Sequence, residues 1–229
     1  MMEALAIVQA RMSSSRLPGK VLHPIGGRPM LGYLLDRLAR ARTIGAVVVA
    51  TSVEKSDAPI AAYCAASGVG CHRGPLADVA RRFQGVIEAF PAGAYVRICA
   101  DSPLLDPEVV DGVVELFSSR HPDLATNTYP RSYPKGQSVE VFSAEAFHRA
   151  CARMETPEDR EHVTRIFYRH PEGFTIRNLN SGRGCGERSL AIDTPEEMAA
   201  FEELVAAMDR PHWTYRWEEL LNMKQALGG

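Results

Sequence analysis

The sequence predicts an α/β protein built on a doubly wound, mostly parallel sheet. Three observations carry that prediction. Short apolar runs rich in β-branched residues recur through the first half, and segments of helical length and period 3.6 separate them. Two of those segments open at a proline, Pro29 and Pro107, the second with Asp106 as N-cap. Apolar runs without alternation are strands buried on both faces, and parallel strands need long crossovers, which the helical segments supply.

The elements follow in order. "ALAIVQA" is the first strand, "PMLGYLLDRLARAR" the first helix and "AVVVAT" the second strand. "DAPIAAYCAASG" and "PLADVARRFQGVIEAF" are helices on either side of the strand "GVGCHR". "AYVRICA" then leads into the helix "DPEVVDGVVELFSS". Near Asp123 the rhythm changes: "DLATNTYPRSYPKGQSVEVF" mixes strand-like pieces with a Tyr, Pro, Lys and Gly connector. "DREHVTRIFYRH" reads as one helix, "FTIRNLN" and "RSLAID" as strands, and two helices, "PEEMAAFEELVAAM" and "YRWEELLNMKQAL", close the chain. With no internal repeat or low-complexity linker, residues 1–229 read as a single domain. Its parts are a nucleotide-binding region over 1–120, an extension over 121–185 and a closing strand with helices over 186–229.

Bulk properties exclude several classes. A chain of 229 residues buries about 70% of its unfolded surface, enough for a real core. With 26 basic and 28 acidic side chains the net charge is -2, which gives no broad basic field for nucleic acid. Five cysteines, none spaced as CxxC, suggest neither a disulfide framework nor structural zinc, and fit a reducing cytosol. No run approaches the roughly 18 residues of a membrane span and no leader precedes the first strand, so a cytoplasmic protein without membrane partners is expected.

The loop after the first strand, "QARMSSSRLPGK", holds three cations and no acid. Ligands of doubly wound sheets bind outside the carboxyl ends of the strands, where the first βα connection lies. Arg11, Arg16 and Lys20, with the hydroxyls of Ser13 to Ser15 and nearby peptide N–H groups, would suit a polyphosphate; the alternative is a solvated basic loop. Neither GxxxxGK[ST] nor GxGxxG is present. A triphosphate calls for a hard divalent ion on carboxylate oxygens, and Asp101 in "RICADSPLLD" and Asp193 in "LAIDTPEE" both end apolar runs. Each also has a structural reading, Asp101 in a turn with Pro103 and Asp193 or Thr194 as a helix cap.

These residues carry a family resemblance. "VQARMSSSRLPGKVL" followed by "GGRPML" resembles the nucleotide loop of sugar-acid cytidylyltransferases, most closely the branch named after the spore coat polysaccharide biosynthesis protein SpsF. "RGPLADVARRF", "ADSPLLDP", "YPKGQSVEVF", "DREHVT" and "IDTPEEM" resemble that branch's later signatures, in order. The resemblance implies a GT-A-like nucleotidyltransferase fold, CTP as substrate, Mg²⁺ as cofactor and CMP transfer to a sugar acid in surface polysaccharide or glycoconjugate synthesis. It implies nucleotide contacts at Ala10, Arg11, Ser13, Ser14, Arg16, Lys20, Arg73 and Asp101, with Arg11, Lys20 and Asp101 catalytic and Asp101 and Asp193 holding the metal. It also implies a homodimer formed through residues ~120 to 180, where "YPRSYP" and "IFYRH" supply aromatics and arginines. Ala100 departs from the family, standing where glycine usually precedes the Asp.

For the acceptor, Arg131, Lys135, Gln137, Glu140 and His162 are the polar candidates. A carboxylate wants Arg131 or Lys135, and Glu140 would accept from hydroxyls. Their alternatives are a solvated loop for the cations, the polar face of a strand for Glu140 and a structural role for His162. Trp213 and Trp217 read as pins for the last helix, and Cys99 as a small core residue. Three competing functions are a GT-A glycosyltransferase, which wants a DxD that "ADSP" lacks; a nucleotidyltransferase of another base; and a non-catalytic nucleotide binder.

Overall fold

The structure, a computed structural model, describes residues 3–228. In chain order it runs β1 (Ala4–Gln9), β2 (Pro24–Ile25), β3 (Arg28–Pro29), α1 (Met30–Leu38), β4 (Ile44–Ser52), α2 (Ala58–Ala66), β5 (Gly70–Gly74) and α3 (Val79–Ala89). The middle of the chain forms β6 (Tyr95–Cys99), α4 (Pro107–Arg120), β7 (Leu124–Thr126), β8 (Glu140–Phe142) and α5 (Ala144–Cys151). The remainder forms α6 (Pro157–Glu161), α7 (Arg165–Arg169), β9 (Ile176–Asn178), α8 (Pro195–Ala206) and α9 (Trp217–Gly228).

Seven strands make one sheet in the order β5-β4-β1-β6-β8-β7-β9, and β2 and β3 form a separate hairpin. β1 is parallel to β4 and β6, and β4 to β5. β8 is antiparallel to both β6 and β7, and β9 runs parallel to β7. The first half is therefore the parallel sheet its sequence predicts, and the second half extends it through one reversed strand. Strand order turns at β1, with β4 on one side and β6 on the other, which opens a crevice beyond their carboxyl ends.

Alternation along β1 shows why its sequence is apolar throughout. Ala4, Ala6 and Val8 join a core beneath α1, α4 and α8, while Leu5 and Ile7 join a second core with Phe83 of α3 and Phe147 of α5. Gln9 continues the second series at the crevice. The N-caps behave as their chemistry requires: the Asp106 carboxylate accepts from Glu108 N at α4, and Asp78 accepts from Arg81 N at α3.

Two expectations fail. The single helix over 159–170 is two short ones, α6 and α7, because the backbone leaves the helical region at His162 and Arg165 N donates to the His162 carbonyl. "RSLAID" forms no strand; it makes one bridge, Lys135 to Ser189, and then Ile192 N donates to Asp101 O at 2.9 Å. Of the two tryptophans, Trp217 is buried against Tyr133, whereas Trp213 is half-buried between the His212 ring and the Arg40 guanidinium.

Candidate active site

The loop leaving β1 is folded by its own backbone and by one distant acid. Gly19 adopts φ 79°, a left-handed conformation that favours glycine, and its N–H donates to Met12 O at 2.9 Å. Met12 N donates to Asp57 Oδ1 at 2.7 Å, and the other oxygen of this buried carboxylate accepts from Ser52 Oγ at 2.5 Å. Asp57 therefore ties the loop to the end of β4. The loop faces a cavity of about 350 Å³ lined by Ala10, Arg11, Ser14, Ser15, Arg16 and Lys20 on one side and by Cys99, Asp101, His162 and Asp193 on the other.

Each loop cation meets a carboxylate across this cavity. Lys20 is buried, and its Nζ donates to Asp193 Oδ1 and to Ile192 O, both at 2.7 Å. Arg16 Nη2 lies 2.9 Å from Asp193 Oδ2, and Arg11 Nη2 lies 3.3 Å from Glu161 Oε1 on α6. Burial raises the Asp193 carboxyl, but Lys20 and then Arg16 outweigh that and hold it below the ordinary range. Asp101 goes the other way: burial pushes it up, against the pull of Lys20.

The alternative readings of the two acids separate here. Thr194, not Asp193, caps α8, in a capping box with Glu197. The Asp193 carboxylate is thus released to the cavity. Asp101 reaches it from the end of β6, with one oxygen accepting from Ser102 Oγ at 2.9 Å. Ala100 takes no left-handed backbone, so its β-carbon is tolerated at this position. Asp101 and Asp193 offer hard carboxylate oxygens, the donors a hard divalent ion takes, and such an ion completes its shell with phosphate and water oxygens. Among the described residues no group of three or more His, Cys, Asp or Glu could hold a metal by itself.

A second cavity of about 490 Å³ adjoins the first and shares Arg97, Cys99, Asp101, His162 and Asp193 with it. Arg131, Lys135 and Ser138 line its far side. Lys135 is set there by Gly136, whose φ is 87° and whose missing β-carbon would lie 2.6 Å from Leu190 C and Ala191 N. Arg131 donates to Ser138 Oγ at 3.0 Å.

Several predicted site residues are placed otherwise. Glu140 borders the second cavity, but it is buried and already committed, to Arg97 Nη1 and to the Tyr168 hydroxyl, each at 2.5 Å. Burial and that carboxylate push the Tyr168 phenol up, which keeps it a donor. Gln137 lines neither cavity: it is fully buried, with Oε1 accepting from Asp106 N at 2.8 Å and Nε2 donating to Leu104 O at 2.9 Å. Arg73 also lies outside, its guanidinium donating to the carbonyls of Ser52 and Glu54 at 2.8 Å each, and Ser13 is an exposed residue of the loop. Cys99 lines both cavities instead of the core, and burial pushes its thiol up to about 11, away from the thiolate form. Sequence reasoning missed Asp57, Arg97, Glu161 and Tyr168. Only Glu161 carried a signal, as part of "DREHVT".

A cation-lined loop at the point where strand order turns, facing two carboxylates beside a second cavity, is an arrangement that suits a nucleotidyltransferase. The sequence model of a family described as Cytidylyltransferase matches residues 5–225. The chain is 32% identical to the spore coat polysaccharide biosynthesis protein SpsF of Bacillus subtilis, over 92% of this chain and 90% of that one. A cytidylyltransferase from Leptospira borgpetersenii serovar Hardjo-bovis superposes with a TM-score of 0.93 at 26% identity, covering 100% of this chain and 96% of the other. CMP:2-keto-3-deoxy-manno-octonic acid synthetase complexed with CTP shares the fold, with a TM-score of 0.69 at 19% identity over 89% of this chain and 98% of that one. The chain belongs to the cytidylyltransferase family. No helix among the described residues is long and apolar enough to cross a membrane.

Proposed function

We propose that this enzyme transfers CMP from CTP to a sugar acid or a related acid, releasing pyrophosphate, in the synthesis of a surface polysaccharide or glycoconjugate. The supporting observation is the junction of the two cavities: Asp101, Asp193 and His162 border both, with a loop suited to triphosphate on one side and Arg131 and Lys135 on the other. A reaction joining two bound molecules needs such a shared edge.

In this reading the triphosphate lies along Arg11, Ser14, Arg16 and Lys20, and the acceptor carboxylate pairs with Arg131 or Lys135. The acceptor hydroxyl meets the α-phosphorus at the shared edge beside His162, with pyrophosphate leaving in line. Catalysis is positioning and charge neutralisation. Lys20 and the two arginines stabilise the departing pyrophosphate. Asp101 and Asp193 would hold Mg²⁺, which when bound polarises the α-phosphate and offsets charge on the phosphates. The single-domain division read from the sequence and a dimer through residues ~120 to 180 belong to the same proposal. Light scattering showing a monomer at micromolar concentration removes the dimer.

The test has two stages. Melting in CTP, UTP, GTP or ATP, each with and without Mg²⁺, should rise most with CTP and Mg²⁺, because only a ligand of the native state raises the midpoint. Pyrophosphate release is then measured across a panel of sugar acids. A shift with GTP or UTP and none with CTP sinks the cytidylyl reading; CTP binding without release for any acid sinks the acceptor class.

A further inference from the structure

We propose that Arg16 and Lys20 keep Asp193 closed to metal until a triphosphate draws them away, so that the divalent ion binds only together with the nucleotide. This rests on the assignment of Asp101 and Asp193 to the metal. Three observations lead to it. Both oxygens of Asp193 are occupied by cations, Oδ1 by Lys20 at 2.7 Å and Oδ2 by Arg16 at 2.9 Å. No third acidic, histidine or cysteine ligand completes a site among the described residues, so the remaining coordination comes from phosphate and water. Both cations belong to the loop that faces the nucleotide cavity. A triphosphate therefore takes from Asp193 the charges that a metal must replace there, and supplies the ligands that the protein lacks.

The two cations have different parts. Lys20 is enclosed and also bonded to Ile192 O at 2.7 Å, so it is the more firmly held of the two. The Arg16 side chain is 63% exposed and can swing from Asp193 to a phosphate without disturbing the fold. Arg16 is thus the movable half of the closure. Arg149, paired with Asp123 away from both cavities, serves as the control for loss of one positive charge.

The test uses Mn²⁺ as the probe, with free ion measured by electron paramagnetic resonance against the whole chain and melting checked for every variant. Without nucleotide, wild type should bind Mn²⁺ weakly and Arg16→Met about tenfold more tightly, since a unit charge some 5 Å from a divalent ion is worth that much in water. Arg149→Met should match wild type, Arg16→Lys should restore the weak binding, and Asp193→Asn added to Arg16→Met should abolish the gain. With CTP in equal amount, wild type should hold more Mn²⁺ than Asp193→Asn, which separates protein-bound metal from metal carried by CTP alone. If nucleotide-free wild type and Arg16→Met bind equally while that CTP-dependent difference persists, the closure is wrong and the metal site stands. Binding indifferent to both Asp101→Asn and Asp193→Asn overturns the metal assignment and the closure with it.

Discussion

The two cavities manage their charges differently. On the nucleotide side Arg11, Arg16 and Lys20 each meet a carboxylate, Glu161 or Asp193. On the acceptor side Arg131 meets only a hydroxyl, Lys135 is exposed with no carboxylate partner among the described residues, and Glu140 is shut away with Arg97 and Tyr168. Three cations gathered on one short loop repel one another, so internal acids hold their places. Two cations on an exposed connector are solvated by water and need no internal acid to hold them. In the proposed function, the first side would take the polyanion and the second the acceptor.

The sharpest way to break this contrast is through Asp101. Asp101→Asn should lower CMP transfer by roughly 100-fold or more, equivalent to about 3 kcal/mol of transition-state stabilisation, while circular dichroism stays native. Wild-type turnover would remove Asp101 from the chemistry. Next is the buried brace between the cavities. Arg97→Met strands Glu140 beside Tyr168 without its cation, and breaking such a pair should cost about 3 kcal/mol of stability in urea unfolding. A loss confined to the acceptor KM would instead make Glu140 a binding group.

Smaller effects separate the two kinds of polar residue in the acceptor half. Lys135→Ala should raise the acceptor KM about tenfold, the value of one charged contact, and leave the KM for CTP unchanged. Gln137→Leu should do the reverse of a binding variant: it orphans Asp106 N and Leu104 O, costing about 2 kcal/mol of stability, with both KM values near wild type. A raised acceptor KM in Gln137→Leu at full stability would put its amide back in the pocket.

The same contrast explains what the sequence could and could not disclose. The triphosphate side was legible because its charges are contiguous and follow a buried strand, so position and chemistry coincide within twelve residues, Gln9 to Lys20. The placeholder Glu161 lies 150 residues from Arg11, and the anchor Asp57 lies 45 residues from Met12; no local pattern joins them. In "YPKGQSVEVF" four polar residues look alike on paper. Only the turn at Gly136 sends Lys135 to the cavity and Gln137 into the backbone of the β6–α4 connection. The false helix over 159–170 arose because α6 and α7 both carry helical patterns, and the break between them places His162 at the shared edge. "RSLAID" was apolar enough for a strand, yet its last residues bond to Asp101 O instead of a ladder, and that bond brings the two acids together.

The smallest effects are those of pH on the nucleotide-free, metal-free protein, and the two acids should act with opposite sign. Asp193 has its folded pKa depressed, through Lys20 and Arg16 acting against burial, so its contribution is present above the unfolded carboxylate value and is lost as pH falls through the folded one. Asp101 has its folded pKa raised by burial, so the protein is best served below the unfolded value, and stability is lost as pH rises through the folded one. At neutral pH, Asp193→Asn should therefore lower the melting point and Asp101→Asn should raise it. Both differences should shrink as the buffer is taken down through the carboxylate range. Equal signs would mean that the Asp101 charge carries no burial cost. Opposite signs would show that the site keeps one acid satisfied and the other exposed to the cost of its charge, which a bound cation is suited to relieve.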